Sequence, residues 1–117
     1  MRNILFVCNA GVDRSPAAAW WAENIAEAER IELKADSLGI RYPTCRQNLR
    51  NEYFEEYDRI FVMENWMQNE IQENYSYSGD IVSLDIEDRE DWTSRELDQI
   101  FERKFTDEGL RAKILYE

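Results

Sequence analysis

The sequence predicts an α/β protein: a four-stranded parallel sheet with helices on both faces, three layers in all. Three observations lead there. Short apolar runs alternate along the chain with segments of helical period, the pattern of right-handed βαβ crossovers. The first run passes through a short loop directly into a helix. The chemistry-bearing residues then fall together at the carboxyl ends of the expected strands, where ligands bind in such sheets. The length of 117 residues fits one domain, residues 1–117, with neither repeats nor low-complexity segments.

Taken in order, Ile4-Leu5-Phe6-Val7 reads as a buried strand that stops at Cys8. Arg14, Ser15 and Pro16 follow, and Pro16 to Arg30 reads as the first helix, with Pro16 suited to its first position. Ala18, Trp21, Ile25 and Ala28 form its sheet-facing stripe, and Trp20 beside them is expected to be partial core. Glu32 to Ser37 alternates and reads as the second strand, followed by a turn at Ser37-Leu38-Gly39 and a loop containing Pro43. Gln47 to Tyr57 reads as a short helix with Leu49, Tyr53, Phe54 and Tyr57 on its apolar face. Arg59 to Met63 is the third strand, Glu64 to Asn74 a helix, Tyr75 to Gly79 a turn, and Asp80 to Ile86 the fourth strand. After an acidic loop from Glu87 to Trp92, Thr93 or Ser94 caps a last helix with Leu97, Ile100, Phe101 and Phe105 as its stripe. Gly109 is expected to break or end that helix before Leu110 to Glu117.

Composition removes several function classes. Twenty-five Asp and Glu against 14 Lys and Arg give a formal net charge of -11, which argues against nucleic acid as a partner. No apolar run approaches membrane-spanning length, and the start lacks a signal-peptide pattern, so the expected location is cytoplasmic, with no membrane partner. Histidine is absent, which excludes Ser-His-Asp triads, Cys-His dyads and His-based zinc sites. Cys8 and Cys45 are the only cysteines and form no CxxC pair, which leaves neither a zinc ribbon nor a thioredoxin motif.

What remains is the segment from Cys8 to Ser15. A thiol at the end of a strand faces a helix N-terminus, where free backbone N–H groups converge and the helix dipole favours negative charge. Both effects favour the thiolate of Cys8. The amides of Asn9, Ala10, Gly11, Val12, Asp13, Arg14 and Ser15 can hold phosphate oxygens, and Arg14 adds a planar, bidentate donor. The Ser15 hydroxyl can cap the helix or hydrogen-bond the thiolate. A Cys-x5-Arg loop is thus a nucleophile and an oxyanion cradle in one segment. The small-hydrophobe reading of Cys8 does not account for Arg14-Ser15-Pro16 at that spacing.

Val7-Cys8 and Arg14-Ser15-Pro16, placed straight after the N-terminal strand, resemble the low-molecular-weight protein-tyrosine phosphatase family. The compact branch of predicted protein-tyrosine phosphatases fits best. The Asp58-to-Met63 stretch is similar to another pattern of the family. The loop differs from the family's usual Gly-Asn pair at Ala10-Gly11, and Asp13 stands where a second cysteine is usual. The loop as a whole is also similar to the signature loops of classical and lipid-directed cysteine phosphatases. The resemblance implies hydrolysis of phosphate monoesters through a phosphocysteine, with a phosphorylated protein or a small aryl phosphate as substrate and neither metal nor cofactor. It also implies an acid on the loop after the last strand. Asp88 is the first candidate, with Asp85, Asp91 and Asp13 as alternatives. The proline that follows the acid in the family is Arg89 here, and a solvated acidic loop is the competing reading.

A deep slot would favour phosphotyrosine, with Trp92, Trp66, Tyr42 and Tyr75 as candidate walls. Cys45 is either structural or the partner of an oxidised Cys8. Three other functions stay open. An arsenate reductase would need a further cysteine relay. A cysteine-type phosphotransfer subunit normally lacks the equivalent of Arg14. A phosphate- or phosphoprotein-binding module would keep the cradle without turnover.

Overall fold

The computed structural model describes residues 1–9, 14–41, 49–87, 89 and 91–117. Four parallel strands form one sheet: β1 (Arg2–Cys8), β2 (Leu33–Gly39), β3 (Arg59–Val62) and β4 (Ile81–Ser83), in the order β2-β1-β3-β4. The helices are α1 (Arg14–Ala28), α2 (Asn65–Asn74), α3 (Ser94–Lys104) and α4 (Glu108–Leu115). The chain moves one way across the sheet from β1 to β2 and the opposite way from β3 to β4. Right-handed crossovers therefore put α1 and α2 on opposite faces, giving the expected three layers. No helix among the described residues is long and apolar enough to cross a membrane.

β1 is the central, doubly covered strand, and its residues Ile4 to Cys8 are all buried. Period-two alternation puts Ile4, Phe6 and Cys8 on one face. There the Phe6 ring lies 6.4 Å from Phe105, just past the end of α3, and it stacks on Phe61 of β3 at 5.0 Å. Phe101 completes this cluster against Phe105.

α1 starts at Arg14, two residues before the expected Pro16, and ends at Ala28. Pro16 still lies within the first turn, where its missing N–H leaves no intrahelical bond unmade. The helix closes with Arg30 at φ 59°, its N–H donating to Glu27 and that of Ile31 to Ala26. This is a Schellman motif built on arginine instead of glycine. The buried stripe is Ala18-Ala22-Ala26 with Ala19 and Ser15. Of the four stripe residues expected, only Ala18 is buried; Trp21 and Ile25 are half-buried and Ala28 is exposed. Small side chains let the helix lie close on the sheet, so the indoles are left at the margin. Trp20, expected to be partial core, is 59% exposed.

Other boundaries differ as well. β2 runs two residues beyond Ser37, which is exposed within the strand, so Ile40 and Arg41 take its place at the carboxyl edge. The expected helix from Gln47 to Tyr57 is, among the described residues, a single 3-10 turn, Tyr53–Glu56, with Phe54 buried. β4 is only three residues long because Asp85 adopts φ 54°, which ends the pleat, while Leu84 and Ile86 still donate to Val62 and Met63. Thr93 caps α3 as expected, its hydroxyl accepting from Glu96 N–H at 3.1 Å. Gly109 does not end that helix. α3 stops at Lys104, and Asp107 starts α4 by accepting from the N–H groups of Gly109 and Leu110.

Candidate functional site

The sheet order reverses direction between β1 and β3, and the loops leaving these strands diverge to opposite faces. That crevice is where open α/β sheets hold ligands, and Cys8 ends β1 there. The Cys8 carbonyl accepts from Ile40 N–H and the Val7 carbonyl accepts from Met63 N–H, both at 3.0 Å. Cys8 is thus fixed from both neighbouring strands. Its Sγ lies 3.0 Å from the Oγ of Ser15, which is fully buried in the first turn of α1. With the sulfur ionised, Ser15 is the donor.

Arg14 opens α1 and is 3% exposed. Its Nη1 donates to the Ile86 carbonyl at 2.6 Å and to Glu64 Oε2 at 3.3 Å. Glu64 lies two residues past the end of β3 and also accepts from Trp66 Nε1 at 3.2 Å. The left-handed turn at Asp85 brings Ile86 N–H to the Met63 carbonyl, which leaves the Ile86 carbonyl available to Arg14. The guanidinium is therefore held by the ends of β3 and β4. An arginine so anchored has little rotamer freedom to lose on meeting an anion.

Two arginine–indole pairs flank this centre. Arg41 lies over Trp66 at 4.3 Å, and its N–H donates to the Asn9 carbonyl at 3.0 Å. Arg89 lies over Trp92 at 4.5 Å, and Trp92 Nε1 donates to the Glu87 carbonyl at 2.9 Å. Both chain neighbours of Asp88 are thus tied to Trp92.

The structure brings Cys8 and Ser15 into contact, with Arg14 next to Ser15 and half-buried Asn9 beside Arg41. Ala10, Gly11, Val12, Asp13 and Asp88, with Tyr42 and Cys45, lie outside the described residues. Asp91 is clamped by Arg89 Nε and Nη2 at 3.1 and 2.8 Å, and these hydrogen bonds hold its carboxyl below the usual carboxylate range. Such a group is a poor proton donor near neutral pH. Asp85 is exposed and accepts from Ser83 Oγ, serving as the turn residue after β4. Of the candidate walls, Trp66 and Trp92 are half-buried beside the site, but Tyr75 is not part of it. α2 runs from the carboxyl edge back to the amino edge of the sheet, and Tyr75 at its end packs edge-on against Phe54 at 5.0 Å.

The sequence places Glu64 and the loop after Ile86 at carboxyl strand ends, with Cys8 and Ser37, but gives neither Glu64 nor the Ile86 carbonyl a role, and it does not point to Arg41. The one available signal was position, since Glu64 and Arg41 each lie two residues past a strand end.

No protein-family model matches this sequence, and none of the curated proteins does. Solved structures do. The low molecular weight protein tyrosine phosphatase from T. tengcongensis is similar at a TM-score of 0.73 and 19% identity, covering 97% of both chains. The tyrosine phosphatase Wzb from Escherichia coli K30, solved in complex with sulphate, is similar at 0.68 and 16%, covering 96% of this chain and 97% of its own. The YwlE arginine phosphatase, solved as a cysteine-to-serine mutant with a phosphorylated active-site serine, is similar at 0.61 and 16%, covering 93% and 99%. This chain has the fold of the low molecular weight protein tyrosine phosphatases.

Proposed function

We propose that this chain is a cysteine-dependent phosphatase that hydrolyses phosphate monoesters, with protein phosphotyrosine as the substrate class. The observation that carries the reading is the contact of Cys8 Sγ with Ser15 Oγ at 3.0 Å, beside a buried Arg14 anchored by Glu64 and Ile86. Ser15 stabilises the thiolate, and Arg14 is held ready for an anion. The fold supports the same reading, as do two solved structures of similar fold, one in complex with sulphate and one a cysteine-to-serine mutant with a phosphorylated active-site serine.

In this mechanism the Cys8 thiolate attacks phosphorus and the ester P–O bond breaks. Asp88 gives its proton to the departing oxygen. The amides of residues 9–15 and the Arg14 guanidinium take up the charge on the equatorial oxygens. Water then attacks the phosphocysteine, Asp88 receives its proton, the S–P bond breaks and the thiolate is restored. The two arginine–indole pairs, Arg41 with Trp66 and Arg89 with Trp92, are the walls for an aromatic leaving group.

A second reading has its own observation. The Glu64 carboxylate lies 3.3 Å from Arg14 Nη1 and partly offsets its charge, and the chain carries a net charge of -11, both of which weaken phosphate capture. A phosphoprotein-binding module without turnover would tolerate this better than an enzyme. Hydrolysis of an aryl phosphate in the presence of EDTA separates the two. The wild type is expected to turn over and Cys8→Ser to be inactive. Phosphate binding without turnover in the wild type would support the binding module instead.

A further inference from the structure

A groove of about 630 Å³ lies beside β4, between that strand and helices α3 and α4. Its cationic lining is Arg103, Lys104 and Lys113. Among the described residues none of these three makes an ion pair or a side-chain hydrogen bond. The two carboxylates that share the groove lining make other hydrogen bonds, Asp107 in capping α4 and Asp85 in accepting from Ser83. Lys104 is half-buried and has no counter-charge among the described residues, in a chain where acids outnumber bases 25 to 14.

The groove continues toward Arg14. Asp85, Ile100 and Lys104 also line a second cavity of about 360 Å³, together with Ile86, Glu87 and Trp92. Ile86 is the residue whose carbonyl holds Arg14. Charge therefore changes sign along one continuous path. Arg14 comes first, then the carboxylates of Asp85 and Glu87, then the cations of Lys104, Arg103 and Lys113 around the single carboxylate of Asp107. β4 is the edge strand that forms one wall, and among the described residues it pairs only with β3.

From this order we infer that the groove binds an acidic segment of the phosphoprotein substrate, set apart from the phosphorylated residue by neutral or basic positions. The inference rests on the phosphatase reading and deepens it by naming the substrate class. Carboxylates next to the phosphorylated residue meet Asp85 and Glu87 and are disfavoured. Carboxylates farther along meet three cations that have no ion pair among the described residues. Such charge complementarity acts chiefly on encounter and selection, and it weakens with salt.

The test uses the full chain and four substrates. These are an aryl phosphate and three phosphotyrosyl peptides: one with a distal acidic run, one with a neutral run, and one with acids adjacent to the phosphotyrosine. The wild type is compared with the triple variant Arg103→Glu, Lys104→Glu, Lys113→Glu, after thermal melting shows both to be folded. The wild type should prefer the distal-acidic peptide about 10-fold in KM over the neutral one, and least favour the adjacent-acid peptide. The variant should lose that preference with aryl phosphate turnover unchanged. Equal KM values for the three peptides, or a preference that survives the charge reversal, would overturn the inference while leaving the phosphatase reading intact. If the wild type hydrolyses nothing, the phosphatase reading fails, and fluorescence anisotropy with an unphosphorylated acidic peptide reads the groove alone. Salt-sensitive binding by the wild type that the variant loses supports the groove, and absence of binding overturns it. Should the triple variant not fold, Lys104→Gln with Lys113→Gln replaces it, with the same preference reduced rather than lost.

Discussion

Two buried arginines stand at opposite edges of the same sheet. Arg14, at the carboxyl edge, has its Nη1 satisfied by the Ile86 carbonyl and Glu64. Arg59, at the amino edge, is 7% exposed and pairs with Asp80 at 2.9 Å, yet its Nε and Nη1 are buried with no partner among the described residues. Arg59 also raises the cost of charge nearby, since Arg2 is pushed below its ordinary value first by burial and then by Arg59. A buried guanidinium without full pairing weakens a fold rather than supporting it. The difference shows where the chain uses a buried charge well. One edge surrounds it with acceptors at the candidate reaction centre, and the other leaves two donor nitrogens unmet among the described residues.

The same substitution at both positions sharpens this contrast. Arg14→Met should lower aryl phosphate turnover by roughly 10²-fold or more, the loss expected when one preorganised charge-stabilising donor is removed. Arg59→Met should leave turnover unchanged and stabilise the chain by about 1 kcal/mol in urea denaturation. A loss of stability at Arg59→Met would mean that its buried N–H groups have partners after all.

The acid is the next largest effect. Asp88→Asn should reduce turnover by about 10²-fold and remove its dependence on a protonated carboxyl, a loss typical of general-acid removal. Asp91→Asn should leave the pH profile as it is. The Arg89 hydrogen bonds keep the Asp91 carboxyl below its ordinary range, so it stays ionised while an ordinary carboxyl takes up a proton. Any stabilisation from that clamp is present above the ordinary carboxylate range and lost as pH falls through the depressed folded value. A flattened pH profile in Asp91→Asn would move the acid from Asp88 to Asp91.

The smallest effect concerns the scaffold. Arg30 closes α1 in the left-handed region, where an L side chain is strained. Arg30→Gly should stabilise the fold by about 0.5 kcal/mol, the relief of strain being partly offset by the freer unfolded chain. Thermal melting reads it, and a lower melting temperature would mean that Arg30 makes a compensating contact.

How much of this was legible in the sequence follows from distance along the chain. Cys8, Arg14 and Ser15 sit within eight residues, so their relation survives as a written pattern. Glu64 and Ile86 reach Arg14 from 50 and 72 residues away, and no local pattern carries such contacts. Strand order likewise needed the structure, although the alternation of apolar runs and helical stripes gave the layers. The α1 stripe was misread because hydrophobicity favoured Trp21 and Ile25, whereas close helix–sheet packing favours alanine. Gly109 was misread as a stop because the Asp107 cap two residues earlier starts a new helix. The left-handed turn at Asp85, which shortens β4 and presents the Ile86 carbonyl, has no glycine to announce it.

The central claim is that Cys8 accepts the phosphoryl group. The direct measurement is rapid acid quench of Asp88→Asn during aryl phosphate turnover, followed by peptide mass spectrometry. The account predicts the added mass of one phosphoryl group on the peptide containing Cys8, absent when Cys8→Ala is introduced as well. Turnover with no such adduct, or an adduct on a peptide without Cys8, would contradict it.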